Sequence, residues 1–237
     1  MELIPVGDSA VLLRFEQKIS PEINAQVQAA DAAIRDAGWD GILETIPAFS
    51  SLLVEYDPVR LSYADLSGRL QTLNTLESSG KGDAFVYTIP VCYGGSFGED
   101  LEDVAEHAGI SVDEVVRRHS AVDYRIYMLG FLPGFPYLGG LDESIACPRL
   151  SSPRQRIAPG SVGIGGSQTG VYPIASPGGW RLIGTTPLKL YDPNREEPIL
   201  YRAGDSIRFS PITQGEFETI ARQVEEGTYV LEKEEIR

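Results

Sequence analysis

The chain has 237 residues, 42% of them hydrophobic and 23% charged, a globular composition long enough for one large domain or two modest ones. Its 34 acidic and 20 basic residues give a formal charge of −14, which repels nucleic acid and anionic membranes and excludes a general role at either. The N-terminal MELIPVGDSAVLLRF lacks a secretory-leader pattern and no apolar run spans a bilayer. Cys92 and Cys147 stand outside any CxxC or Cys/His cluster, so a cytoplasmic protein without disulfides or a metal site is expected.

In chain order, residues 10–15 (AVLLRF) read as a strand. Ser20 then supplies an N-cap and Pro21 a first-turn proline. Ile23, Val27, Ala30 and Ile34 fall on one helical stripe, and Gly38 ends it. Two β-rich runs, 42–46 and 51–56, flank a turn at 47–50. Ser62 and Asp65 have capping-box spacing, and Tyr63, Leu66, Leu70 and Leu73 form the next stripe. Strand, helix, two strands and a helix predict a ferredoxin-like α+β sandwich over residues 1–84, closed by a further strand. Glu77 to Asp83, polar and rich in glycine and serine, reads as a linker.

The second domain, 85–237, opens on a strand at 85–91 (FVYTIPV). Two short helices follow near 99–108 and 113–120, the second with a capping box at Ser111 and Glu114. Beyond Asp123, short β-runs with frequent glycine and proline predict a barrel or sandwich. Phe217, Ile220, Ala221 and Val224 mark a last helix, after which an acidic tail is expected to be mobile.

Four segments of this half can carry chemistry. Residues 124–141 (YRIYMLGFLPGFPYLGGL) make an aromatic, rigid loop that can wall a pocket or partner groove, or pack in its own core. Arg154 and Arg156 share a face if strand geometry alternates there. No Asp or Glu occurs from Ser144 to Tyr191, where Arg149, Arg154, Arg156, Arg181 and Lys189 all lie. That pattern suits a carboxylate or phosphate held by guanidinium forks; the alternative is an edge strand guarded by arginine. The glycines of 160–170 (GSVGIGGSQTG) can aim backbone N–H groups at an anion. They do not form a nucleotide loop: Val171 and Tyr172 follow Gly165–xxxx–Gly170 where Lys-Ser/Thr is needed, and Gln168 replaces the third glycine after Gly163 and Gly165. The fourth segment, 176–181 (SPGGWR), leads an indole and a guanidinium into a strand.

Residues 94–98 (GGSFG) satisfy GxSxG, with Asp103, His107, His119 and Asp123 downstream, an order that imitates an α/β-hydrolase triad. The following chain offers no series of βα units, so we read Ser96 as a helix cap. His107 falls on an acidic helix. His119 precedes the aromatic loop and is the candidate functional imidazole, with a hydrogen-bonded core histidine as the alternative.

His119, Tyr124, residues 130–141, Pro153-Arg154, 160–163, 168–170, Tyr172-Pro173 and 176–180 together resemble the B-subunit family of 5-oxoprolinase (PxpB), also called the KipI or allophanate hydrolase subunit 1 family. Gly7-Asp-Ser9 and Ile89-Pro-Val91 extend the likeness over nearly the whole chain. Ala158-Pro-Gly160 departs from the family's more frequent Pro-Ala-Gly at a loop entry. The resemblance implies an N-terminal ferredoxin-like domain and a C-terminal cyclophilin-like β-barrel. It also implies joint work with the C and A subunits in hydrolysing 5-oxo-L-proline to L-glutamate at the expense of ATP. Similar domains form the carboxyltransferase part of urea carboxylase. KipI members instead inhibit a histidine kinase, which is the alternative function; a prolyl isomerase would rest on fold analogy alone.

The implied substrate is a stable lactam bearing a carboxylate. ATP is expected to activate its ring carbonyl and to be bound mainly by a partner, and no metal or prosthetic group is expected. Under this reading Arg154, Arg156, Gly165, Gly166, Gln168, Tyr172 and Trp180 are expected to bind the substrate or its anion. Tyr124, Phe131, Phe135 and Tyr137 are expected to form a pocket wall or partner surface. His119 is the catalytic candidate.

Overall fold

The computed structural model describes residues 1–18, 20–73 and 84–236. The chain divides into two compact units, Met1–Gly82 and Asp83–Arg237. The linker expected at 77–83 lies outside the described residues. No helix among those described is long and apolar enough to cross a membrane.

The first unit runs β1 (Glu2–Val6), β2 (Ala10–Arg14), α1 (Pro21–Ala37), β3 (Ile42–Pro47), β4 (Ser51–Tyr56) and α2 (Tyr63–Thr72). Its sheet is antiparallel, in the order β1-β2-β4-β3. The Ser20 hydroxyl accepts from the Ile23 N–H at 3.2 Å, and Gly38 closes α1 in the left-handed region at φ 55°, where glycine carries no Cβ penalty. Val27, Ala30 and Ile34 pack with Val11, Leu13, Leu52, Val54, Leu66 and Leu70 in one core. Ser62 accepts from the Asp65 N–H, but Asp65 bonds back to the Ser62 hydroxyl at 2.6 Å rather than to its backbone. The expected closing strand comes from the opposite end of the sequence. β1, which precedes β2, occupies the sheet edge beside it, and among the described residues no strand after α2 joins this sheet.

The second unit comprises β5 (Ala84–Tyr93), α3 (Leu101–Ala108), α4 (Val112–Ser120), β6 (Asp123–Leu129), β7 (Pro136–Gly139), β8 (Arg154–Ile157), β9 (Ser161–Gly165), β10 (Gln168–Val171), β11 (Ser176–Gly178), β12 (Arg181–Thr185), β13 (Ser206–Pro211), α5 (Gln214–Glu225) and β14 (Lys233–Ile236). The main sheet runs β10-β9-β12-β5-β13-β6-β7, and its end strands β7 and β10 lie beside one another, so it nearly closes into a barrel. β8 and β11 form a separate two-stranded ribbon. Ile89, Val91, Ile126, Val162, Ile164, Ile183, Ile207 and Phe209 fill the interior.

The acidic tail is a strand, contrary to the expected mobility. β14 pairs antiparallel with β5 from Lys233↔Tyr87 to Ile236↔Ala84. The Lys233 ammonium lies 4.7 Å from the Phe85 ring centre, and Glu234 pairs with Arg208 at 3.3 Å. Its composition argues against self-organisation, but the backbone groups of β5 supply a template.

Candidate functional site

The aromatic loop, the segment after β10 and the turn after β11 converge on a pocket of about 130 Å3. It is lined by Phe131, Phe135, Tyr137, Arg149, Tyr172, Gly178, Gly179 and Trp180. Phe135 is its hub. Its ring centre lies 5.4 Å from those of Tyr137 and Tyr172, and 5.6 Å from those of Phe131 and Trp180, each contact edge-on. Each such pair contributes about 0.5–1.5 kcal/mol beyond its buried area, so the wall is pre-formed. Burial pushes the Tyr172 hydroxyl up to about 12 despite the opposing pull of Arg149, which leaves it protonated at neutral pH.

Glycines make room for this wall. A Cβ on Gly165 would run into the Trp180 indole. One on Gly170 would stand 3.1 Å from the indole and 3.3 Å from Phe135, and one on Gly178 would stand 2.6 Å from the Tyr172 hydroxyl. The expected anion-facing N–H groups are not all available, since the Gly166 N–H donates to the Cys147 carbonyl at 2.8 Å. Gly165 and Gln168 face each other across the β9–β10 hairpin, and neither lines the pocket. A hairpin also differs from the strand–loop–helix of a nucleotide-phosphate site. Gly165→Ala should therefore lower stability by about 1–3 kcal/mol through overpacking. Urea unfolding and the indole emission spectrum check this; a variant matching the parent in both would refute it.

The arginines are differently placed than expected. Arg154 gives Nε to Glu99 at 2.9 Å and Nη2 to Asp100 at 2.8 Å, and also donates to the Trp180 carbonyl at 3.3 Å. Arg181 pairs with Asp103 at 2.5 Å. The stretch without acids thus receives carboxylates from the start of α3, and Arg154 is not a free fork for a ligand. Arg156 is exposed on β8 and does not line the pocket. Arg149 does line it, with its guanidinium carbon 5.8 Å from the Trp180 ring centre. Arg149 carries no motif; membership of the stretch without acids is its only signal.

His119 is fully buried and does not line the pocket, a placement that matches the hydrogen-bonded core histidine of the alternative reading. Its Nδ1 lies 2.8 Å from the Tyr93 hydroxyl and its Nε2 2.7 Å from Thr169 Oγ1. Thr169 gives its single proton to the Gly163 carbonyl at 3.1 Å, so Nε2 carries the imidazole proton and Tyr93 donates to Nδ1. Burial lowers the His119 pKa to about 3, which keeps the ring neutral. Tyr124 also leaves the pocket wall. It is fully buried and donates to the His119 carbonyl at 2.8 Å.

Ser96 sits exposed in a separate turn, Gly95–Phe97, while Asp100 is the residue at the N-cap of α3. A Cβ on Gly98 would strike the Ile183 carbonyl, so close backbone packing accounts for that glycine of the GxSxG pattern. Among the described residues no group of three or more His, Cys, Asp or Glu could hold a metal ion.

The family model "Carboxyltransferase domain, subdomain C and D" matches residues 1–201. The chain is 45% identical over 226 residues to the 5-oxoprolinase B subunit of Bacillus subtilis, covering 90% of this chain and 93% of that protein. It is 43% identical over 210 residues to the protein of that name from Escherichia coli O157:H7, with 89% and 95% covered. The crystal structure of the K. lactis urea amidolyase superposes with a TM-score of 0.81 at 20% identity, covering 99% of this chain and 16% of that one, a likeness of fold. This chain accordingly belongs to the carboxyltransferase-domain family of subdomains C and D, among the proteins named as B subunits of 5-oxoprolinase.

Proposed function

We propose that this chain is part of an ATP-dependent 5-oxoprolinase. With the partner A and C subunits in the cytoplasm, it hydrolyses 5-oxo-L-proline to L-glutamate. Its relatives' names support that reading, and the observation that carries it is a pre-formed aromatic pocket beside an arginine. A five-membered lactam is flat and partly apolar, which suits edge-on aromatic walls. In finer terms, we read the first unit as a rearranged ferredoxin-like sandwich and the second as a cyclophilin-like barrel.

Lactam resonance makes direct attack by water slow. Phosphoryl transfer from ATP to the ring carbonyl oxygen releases ADP and activates the carbon. One water adds there, the ring C–N bond breaks as the nitrogen takes a proton, and a second water hydrolyses the resulting acyl phosphate to the carboxylate and free phosphate. The contribution of this chain is to hold the ring through Phe131, Phe135, Tyr137, Tyr172 and Trp180 and to limit its freedom. With no nucleotide loop of its own, it leaves ATP mainly to a partner. The purified chain should therefore release neither glutamate nor phosphate from 5-oxo-L-proline and ATP, whereas the complex reconstituted with the A and C subunits should release both. Turnover by the single chain, or a silent reconstituted complex, contradicts the proposal.

A further inference from the structure

We infer that Arg149 anchors a ligand carboxylate at the aromatic pocket and makes the site selective for small flat rings that carry one. This rests on the pocket being the substrate site of the proposed reaction. Of the basic residues in the stretch without acids, Arg154 and Arg181 are held by carboxylates of this chain, and Arg156 and Lys189 do not line the pocket. Arg149 lines it and has no ion pair among the described residues. A guanidinium over an indole face is oriented by the ring while its N–H edge remains open to an acceptor. In a chain of net charge −14, this is a local point where an anion is attracted.

A second observation marks the same pocket. Phe131, at its rim, has φ 65°, the one positive value among described non-glycine residues, and is 63% exposed. A phenylalanine held in the left-handed region is strained, and such strain gathers at ligand clamps. Turn hydrogen bonds impose it, from Leu132 N–H to Gly130 at 2.7 Å and from Phe135 N–H to Leu132 at 3.0 Å. The exposed ring stands edge-on to Phe135, beside the position a bound ring would take.

The test uses the full chain with Trp39→Phe, which leaves Trp180 as the sole indole reporter. 5-Oxo-L-proline should perturb its emission saturably, and 2-pyrrolidinone, the same ring without the carboxylate, should bind about tenfold or more weakly. Arg149→Met should weaken 5-oxo-L-proline about ten- to a hundredfold and erase the discrimination, with Arg149→Lys restoring only part of it. In the reconstituted complex, Arg149→Met should raise KM more than it lowers kcat. Arg149-dependent binding without glutamate release would overturn the reaction and keep the anchor. Turnover with an unchanged KM in Arg149→Met would overturn the anchor and keep the reaction, and absence of both binding and turnover would overturn both.

Discussion

Asp100→Ala should destabilise the second unit by about 2–4 kcal/mol, because it removes a charge-assisted bond to the part-buried Arg154 and the acceptor of a buried N–H. Asp100 is 5% exposed, and its two carboxylate oxygens do different work. One takes Arg154 Nη2 at 2.8 Å and the other the Leu182 N–H at 2.6 Å, while its own N–H donates to the Leu182 carbonyl at 2.9 Å. A single side chain thereby ties the start of α3 to β8 and β12. Its removal leaves Arg154 with Glu99, whose side chain is 61% exposed and whose pairing contributes about 0–1 kcal/mol. It also leaves the Leu182 N–H without its acceptor. Asp100→Asn retains an acceptor and should lose less, and Glu99→Ala should lose least. Urea unfolding of the full chain ranks the three, and equal midpoints for Asp100→Ala and the parent would remove the argument. Arg154 variants should likewise fail in stability before they fail in binding.

Acidification from pH 6.5 to 4.5 should cost about 2–3 kcal/mol of stability through His119 alone, at about 1.4 kcal/mol per pH unit. Burial lowers its folded pKa from 6.5 to about 3. Above pH 6.5 neither state of the chain is protonated there, and no stability is lost. Below it the unfolded chain binds a proton that the folded chain refuses, and stability falls until the pH reaches the folded value. Tyr93, Tyr124, Phe209 and Thr169 surround the ring without offering a carboxylate to stabilise the imidazolium. Glu114, held down to about 2 by hydrogen bonds from Arg117 and Arg118, and Asp142 and Glu216, lowered by hydrogen bonds from Ser144 and Thr213, act in the same direction but mainly below pH 4.5. The window above 4.5 therefore isolates the histidine. His119→Gln should be less stable at pH 7 yet nearly flat across that window, and a slope equal to the parent's would assign the acid sensitivity elsewhere.

What the sequence reveals follows the range of the physics involved. Ser20, Pro21 and Gly38 delimit α1 legibly because capping is settled within one turn of backbone. β1 escapes notice because its half-exposed edge residues do not alternate, and it then supplies the strand expected after α2. Arg154 misleads for a similar reason. Absence of acids along the chain says nothing about Glu99 and Asp100 arriving from α3 in space. The aromatic loop is legible as a pocket wall at Phe131, Phe135 and Tyr137, while Tyr124 is drawn into the core by the carbonyl of His119. Arg149 acquires its place only once the indole of Trp180 is folded beneath it.

The pairing pattern of β5 also dictates when the barrel can form. This strand opens the second unit, yet its neighbours β12, β13 and β14 are all late in the sequence. During synthesis β5 emerges first and must wait, with its backbone edges unpaired, for most of the unit to follow. The barrel therefore assembles late and with high contact order, whereas the first unit can complete its local pairings while translation continues. A ribosome stalled before β12 would display a folded first unit and an unsatisfied strand, a natural target for a chaperone.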